Sequence, residues 1–246
     1  MASVARALAL LDEVARSDAG LGVNELARRI GVNASTASRL LGTLEEGGLV
    51  ERSADGPYRL GLKLVALSDR VLGQLDVRER ARPWLTWLVE ETGETATLSV
   101  PGGGEAITVD FVPSSSSVVS MARVGRPSVA HATAAGKVML AFGVSGGDGG
   151  TEGELMAYTE RTITDRVALA AELEAVRTSA IAEAVGEREP DLNALAAPVI
   201  GRGGDLVAIL GLQGPAARLP ASTRRALHAP LRRAASELGR SLGGPG

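Results

Sequence analysis

Apolar residues recur at helical spacing three times within the first 46 positions. Val4, Ala7, Leu8, Leu11 and Val14 repeat every three or four residues behind Ser3, the expected N-cap, and predict a first helix. After the break at residues 18–22, Val23, Leu26, Ala27 and Ile30 predict a short second helix that stops at Gly31, the residue type suited to a left-handed helix end. Asn33 is placed to cap a third helix, because its side-chain carbonyl can accept from the amide of Ser35 or Thr36. At 100° per residue Ala37, Leu40, Leu41 and Leu44 form one stripe of that helix. Ser35, Arg39, Gly42 and Glu46 lie opposite, bordered by Thr36, Thr43 and Ser38.

The period then shortens. Leu49 to Arg52 and Tyr58 to Gly61 are short runs around Asp55-Gly56, with Pro57 following, and predict a β-hairpin. Leu64, Leu67, Val71 and Leu75 return to spacings of three and four and predict a linker helix ending before Pro83. Beyond residue 81 helix and strand patterns mix: "RPWLTWLVEETG" reads as a helix, "ETATLSV" and "EAITVDFV" as strands joined through "PGGGE", and "SVVSMAR" as a third strand. "RTITDRVALAAELEAVRTSA" reads as a helix capped by Thr164, "LNALAAPVIG" and "LVAILGLQG" as strands around "RGGD", and the Arg-rich end as a closing helix started or kinked at Pro230. "SSSS" and "GVSGGDGG" read as loops. Strands without regular β-α-β alternation predict an α+β fold with an antiparallel sheet flanked by helices. The expected domains are residues 1–61, a linker at 62–80, and residues 81–246.

Composition narrows the function. The 246 residues contain no cysteine, which removes disulfides, thiolate metal sites and a cysteine nucleophile and fits a reducing compartment. No signal-peptide pattern or long apolar run occurs, so the expected location is the cytoplasm, away from membranes. Only six residues are aromatic, too few for the stacking platforms of a single-stranded nucleic-acid binder. The net charge of -3 gives no bulk attraction to DNA, so any contact with nucleic acid must come from locally placed charge.

The third helix supplies such a placement. A helix face of small hydroxylated residues with one arginine can enter the major groove, where Ser and Thr reach phosphates or bases and Arg bonds guanine bidentately. For an isolated segment, a solvated surface helix explains the same pattern equally well. The order helix, helix, turn, helix, hairpin is that of a winged helix-turn-helix, whose wing would bring Arg52 and Arg59 to flanking phosphates.

In "SVARALALLDEVA", "NELARRIGVNASTASRLLGTLEEGGLVER" and "YRLGLKL", in that order, the chain resembles the IclR-type (isocitrate lyase regulator) bacterial transcription factors. The resemblance continues through "VAHATAAGKVMLAF", "TIT" and "LAAPVIGRGGDLVAILGLQGP", nearly the whole chain. It implies recognition-helix contacts at Ser35, Thr36 and Arg39, with Ser38 on the border of the same face, and a phosphate contact at Arg28. Gly22 stands where many members have a capping Ser or Thr. The resemblance also implies a GAF-like effector-binding domain, and dimerisation through helix one and the linker as a homodimer or a dimer of dimers. The implied partners are double-stranded, pseudo-palindromic operator DNA and a small-molecule effector, with repression the expected outcome.

The same resemblance places the effector between a helix start and the concave face of the sheet, at Ala134, Ala135, Ala194, Gly211 and Gln213, with Met121 and Asn193 as further candidates. Small residues at 184, 194 and 211 suit a roomier ligand than glyoxylate or pyruvate, such as an aromatic acid. "HATAAGK" can be compared with a phosphate loop, but it lacks the leading glycine, and Val138 follows Lys137 where Ser or Thr is required. A helix start capped by Thr133 is an equal reading. Two scattered histidines, His131 and His228, offer neither a metal set nor a catalytic constellation, and no cofactor is expected. The expectation is a regulator and not an enzyme. A metabolite-binding or catalytic GAF-like protein whose N-terminal domain serves protein association is the alternative.

Overall fold

A computed structural model describes residues 2–53, 56–73, 76–117, 122–143 and 154–244, and the chain divides into two compact units, Met1–Gln74 and Leu75–Gly246. In the first unit α1 (Ala2–Ala15), α2 (Val23–Arg29) and α3 (Ala34–Glu46) precede a hairpin of β1 (Val50–Arg52) and β2 (Tyr58–Leu60), and α4 (Lys63–Gly73) follows. Leu10, Val14, Leu26, Ala27, Ala37, Leu41 and Leu44 form its core with Val50 and Tyr58 of the hairpin. Fully burying each leucine contributes about 1.5–3 kcal/mol, which is how so small a unit holds three helices together.

The helix ends follow local chemistry. Asn33 Oδ1 accepts from the Thr36 amide at 2.7 Å, Gly31 adopts φ 69° after α2, and Gly22 begins α2 without a side-chain cap. Two expectations for α1 need correction. The helix begins at Ala2, so Ser3 lies inside it, and the expected stripe is not buried as one: Val14 is buried together with Leu10, which the stripe left out, whereas Val4 and Leu8 are 66% and 57% exposed.

The second unit is built on a five-stranded antiparallel sheet. In chain order its elements are α5 (Asp76–Thr92), β3 (Thr95–Gly102), β4 (Glu105–Val112), α6 (Ala134–Phe142), α7 (Arg166–Ser179), β5 (Ala182–Val185), β6 (Leu192–Ile200), β7 (Leu206–Pro215) and α8 (Ala221–Ser241). The strand order is β4-β3-β7-β6-β5, with each neighbouring pair antiparallel. Helices α5 and α8 pack on one face; α6 and α7 cover the other. Leu98, Leu195, Leu210 and Leu212 are buried with Leu85, Leu88, Leu231 and Leu238 of the flanking helices α5 and α8. Ala182, Ala184, Ala196 and Ile209 point the other way, toward α6 and Val176 of α7.

Several expectations change here. Helix α5 runs through Pro83 to Thr92, because burial of Ala81, Leu85 and Leu88 outweighs the backbone bond that proline removes. Pro230 likewise lies well inside α8. Asp165, not Thr164, caps α7, accepting from the Ala168 amide at 2.7 Å. Strand β5 was not expected, since its sequence of Ala, Glu, Ala and Val directly after a helix lacks a β-branched run. Of the expected third strand, residues 118–121 lie outside the described residues, as does the "GVSGGDGG" segment after Gly143. The outer edge of β4 is met instead by residues 125–128: Ser128 donates to the Ala106 carbonyl at 2.8 Å and Pro127 bridges Ile107.

Candidate nucleic-acid interface and effector site

The surface of α3 is set by its core. With Ala37, Leu41 and Leu44 buried, Ser35, Ser38 and Arg39 are exposed and Thr36 is half-buried. The Arg39 carbonyl accepts from Thr43 Oγ1 at 3.2 Å, which tethers the Thr43 hydroxyl to the helix backbone. Gly42 has open space around it: beyond its chain neighbours and the backbone of its own helix, no described atom lies within 4 Å of where a Cβ would stand.

The other cations differ in availability. Arg28 and Arg29 share the Glu25 carboxylate, at 2.7 and 2.8 Å, and Arg29 also reaches Glu13 at 3.2 Å. Hydrogen bonds from Arg29 and Arg28 hold the Glu25 carboxyl below its ordinary pKa, so this acid stays charged beside them. A phosphate contact by Arg28 therefore has to compete with Glu25. In the hairpin Arg52 pairs across from Tyr58 and Arg59 from Glu51, which puts the two arginines on opposite faces of the ribbon. Arg52 lies over the Tyr58 ring, 5.8 Å from its centre, and donates to the Gly56 carbonyl at 3.2 Å. The two wing arginines are thus not brought together.

In the second unit β-register sorts the expected effector residues. Ala194 pairs with Gln213, Gln213 with Thr95, and Gly211 with Thr97, so all of these share one face. Ala134 at the start of α6 is buried against that face, with Ala135 and Ala194 packed at its border. Asn193 does not join them. It sits one residue out of phase, on the α8 side, where its Nδ2 donates to the Leu219 carbonyl at 3.0 Å. Met121 lies outside the described residues.

Thr133 caps α6, accepting from the Gly136 amide at 3.0 Å, which leaves the amides of Ala134 and Ala135 in a first turn that no helix carbonyl can reach. The phosphate-loop comparison fails at Lys137. Its ammonium is fully buried and bonded to Glu187 at 2.8 Å, the Glu183 carbonyl at 2.8 Å and Glu172 at 3.2 Å. It ties α6 to α7 and to the turn after β5 and has no charge to spare for an anion. Sequence reasoning also missed Thr97, Ser99 and Thr108, hydroxyls on the same sheet face as Gly211. The signal was present in "TATLSV", where hydroxylated residues alternate with Ala96 and Leu98.

A winged helix-turn-helix with an exposed hydroxylated and cationic third helix, followed in one chain by a sheet domain, defines a DNA-binding transcriptional regulator. The comparisons agree. Residues 3–54 match the IclR helix-turn-helix domain and residues 69–240 the C-terminal domain of bacterial transcriptional regulators of the IclR type. The chain is 31% identical to the HTH-type transcriptional regulator XynR of Escherichia coli over 246 residues, covering 99% of this chain and 98% of that one. The crystal structure of the Thermotoga maritima IclR superposes with a TM-score of 0.71 at 29% identity, covering 99% of both chains. An IclR homologue from Microbacterium hydrocarbonoxydans, solved in complex with 4-hydroxybenzoate, does so with a TM-score of 0.74 at 25% identity, covering 96% of this chain and 98% of that one. The protein belongs to the IclR family of bacterial transcriptional regulators. Among the described residues no helix is long and apolar enough to cross a membrane.

Proposed function

We propose that this regulator acts in the cytoplasm as a repressor, binding a pseudo-palindromic operator as a homodimer or a dimer of dimers, and that it works by binding and not by catalysis. The observation that carries the reading is the face of α3: Ser35, Ser38 and Arg39 are exposed opposite the buried stripe of Ala37, Leu41 and Leu44. Thr36 and Arg39 with those serines would meet the major groove, while Arg28, Arg52 and Arg59 would serve phosphates. Two-fold symmetry suits the exposed apolar residues Val4 and Leu8 of α1 and Leu62, Val65 and Leu67 around the start of α4, which a second copy would cover. A small organic acid is the proposed effector, seated between the first turn of α6 and the face carrying Ala194, Gly211 and Gln213. Its carboxylate would meet the amides of Ala134 and Ala135. Effector binding would then shift operator affinity through residues 62–80.

The test is selection of duplexes bound by the full-length protein from a randomised pool. Enrichment of a two-fold symmetric sequence with half-sites about one helical turn apart, or a multiple of it, supports the reading. Recovery of no enriched sequence contradicts it.

A further inference from the structure

The unit that carries the winged helix-turn-helix has no net charge to draw it to DNA. Residues 1–74 hold nine Lys and Arg side chains and nine Asp and Glu. Its attraction for phosphates therefore depends on where single cations stand and what holds them. On α3, Arg39 is exposed and, among the described residues, forms no ion pair. On α2 the cations are held. Arg28 Nε donates to Glu25 Oε2 at 3.0 Å, and its Nη2 donates to Oε1 at 2.7 Å and to Oε2 at 2.8 Å, so one whole edge of the guanidinium is engaged by one carboxylate. Arg29 donates to the same Oε1 at 2.8 Å and to Glu13 at 3.2 Å, and Glu13 also pairs with Arg16.

Phosphate contacts supply sequence-independent affinity, whereas contacts to base edges supply specificity. The Glu25 carboxylate falls on the cation assigned above to phosphates and leaves free the one assigned to bases. A phosphate that takes Arg28 has to displace a two-pronged, charge-assisted pair. When α3 reads its sequence the register is fixed, and the phosphate stands in one place long enough to do so. In a loosely held, sliding complex nothing fixes it there. We propose that Glu25 is a specificity-determining residue, which withholds Arg28 from the phosphates of non-operator DNA and so keeps sequence-independent binding weak. The inference rests on the operator-binding reading given above and adds the residue that sets its discrimination. Arg29 stays held by Glu13 when Glu25 is neutralised, so one phosphate contact for each DNA-binding unit is at stake.

The test is fluorescence anisotropy of the full-length protein on two labelled duplexes across a salt series: the selected operator, and a scrambled duplex of the same length and composition. The variants are Glu25→Gln, Glu25→Asp, Arg28→Ala and the double variant Glu25→Gln/Arg28→Ala. On the scrambled duplex Glu25→Gln should steepen the slope of log affinity against log salt by about 0.9 for each unit in contact, the value of one phosphate. At 0.1 M salt that corresponds to a gain of roughly three- to tenfold for each unit. The operator should gain less, so the ratio of operator to scrambled affinity falls. Glu25→Asp, which keeps the charge, should stay closer to the parent than Glu25→Gln does, and the double variant should lose the gain. Arg28→Ala alone should change affinity for the scrambled duplex by less than about twofold, and it decides the matter should Glu25→Gln not fold. A Glu25→Gln protein with the parent's slope and affinity on the scrambled duplex, or a gain that survives in the double variant, overturns the inference and leaves the operator-binding reading standing. A parent that binds neither duplex at any salt concentration overturns both.

Discussion

Replacing Lys137 by methionine removes a buried cation that, among the described residues, pairs with the buried Glu187 and the partly exposed Glu172 of the second unit. The ammonium is 1% exposed, and its closest carboxylate, Glu187, is 9% exposed, with Oε2 already lacking a partner among the described residues. The Thr162 hydroxyl and the Thr159 hydroxyl both donate to the Glu187 carbonyl, which fixes that turn and prevents the stranded acid from swinging out to water. Breaking a buried pair by removing one partner costs about 3–5 kcal/mol, because the remaining charge is left without compensation. Glu172, at 35% exposure, adds little, since solvent screens it. Set against the roughly 5–15 kcal/mol that holds a domain folded, the loss is large. Urea denaturation followed through Trp84 and Trp87, both in this unit, measures it. Glu187→Gln in the Lys137→Met background should recover at least about 2 kcal/mol, because the stranded charge is gone. A single-variant loss below about 1 kcal/mol, or strictly additive losses in the double variant, would refute the reasoning, and would reopen Lys137 as a group free to hold an anion.

Three further outcomes follow from particular positions. Gly42→Ala should raise the stability of the first unit by about 0.5–1 kcal/mol in thermal melts, because the glycine is helical and a methyl group there meets nothing; a loss of stability would contradict this. Gly136→Ala should cost about 1–3 kcal/mol or more by the same assay, since its Cβ would meet the Val129 and Ala130 carbonyls at 2.5 and 2.6 Å, both backbone atoms. Burial opposes ionisation of Glu183, but hydrogen bonds from Arg224 and His228, with their charges, prevail and hold its carboxyl below the ordinary value of 4.5. Its contribution should fall away as pH drops through the lowered value, so the stability gap between the parent and Glu183→Gln should narrow as pH falls below about 4.5.

What could be read in the sequence was what is decided locally. Asn33 and the Ala37, Leu41, Leu44 stripe fix α3 by capping and period alone, so its outward face followed without knowledge of the rest. In α1 a second apolar stripe competed: Val4 and Leu8 keep helical spacing as well as Leu10 and Val14, and only tertiary packing separates the buried set from the exposed one. The strands were recognisable but their facing was not. Asn193 and Ala194 are adjacent, and a single strand read alone does not say which of them meets α6; the pairing of Ala194 with Gln213 decides it. Lys137 was misleading for the opposite reason, since its motif is local but its partners lie 35 to 50 residues away.

The claim that α3 reads DNA is tested most directly by measuring affinity for the selected operator across a salt series, for the parent and for Arg39→Ala. Arg225, exposed on α8 far along the chain, provides a control substitution to alanine. The account predicts a negative slope of log affinity against log salt for the parent, and a loss of roughly tenfold or more in specific affinity for Arg39→Ala, the worth of one good base contact. The Arg225→Ala control should bind like the parent. Equal affinity of the parent and Arg39→Ala at every salt concentration would contradict the account.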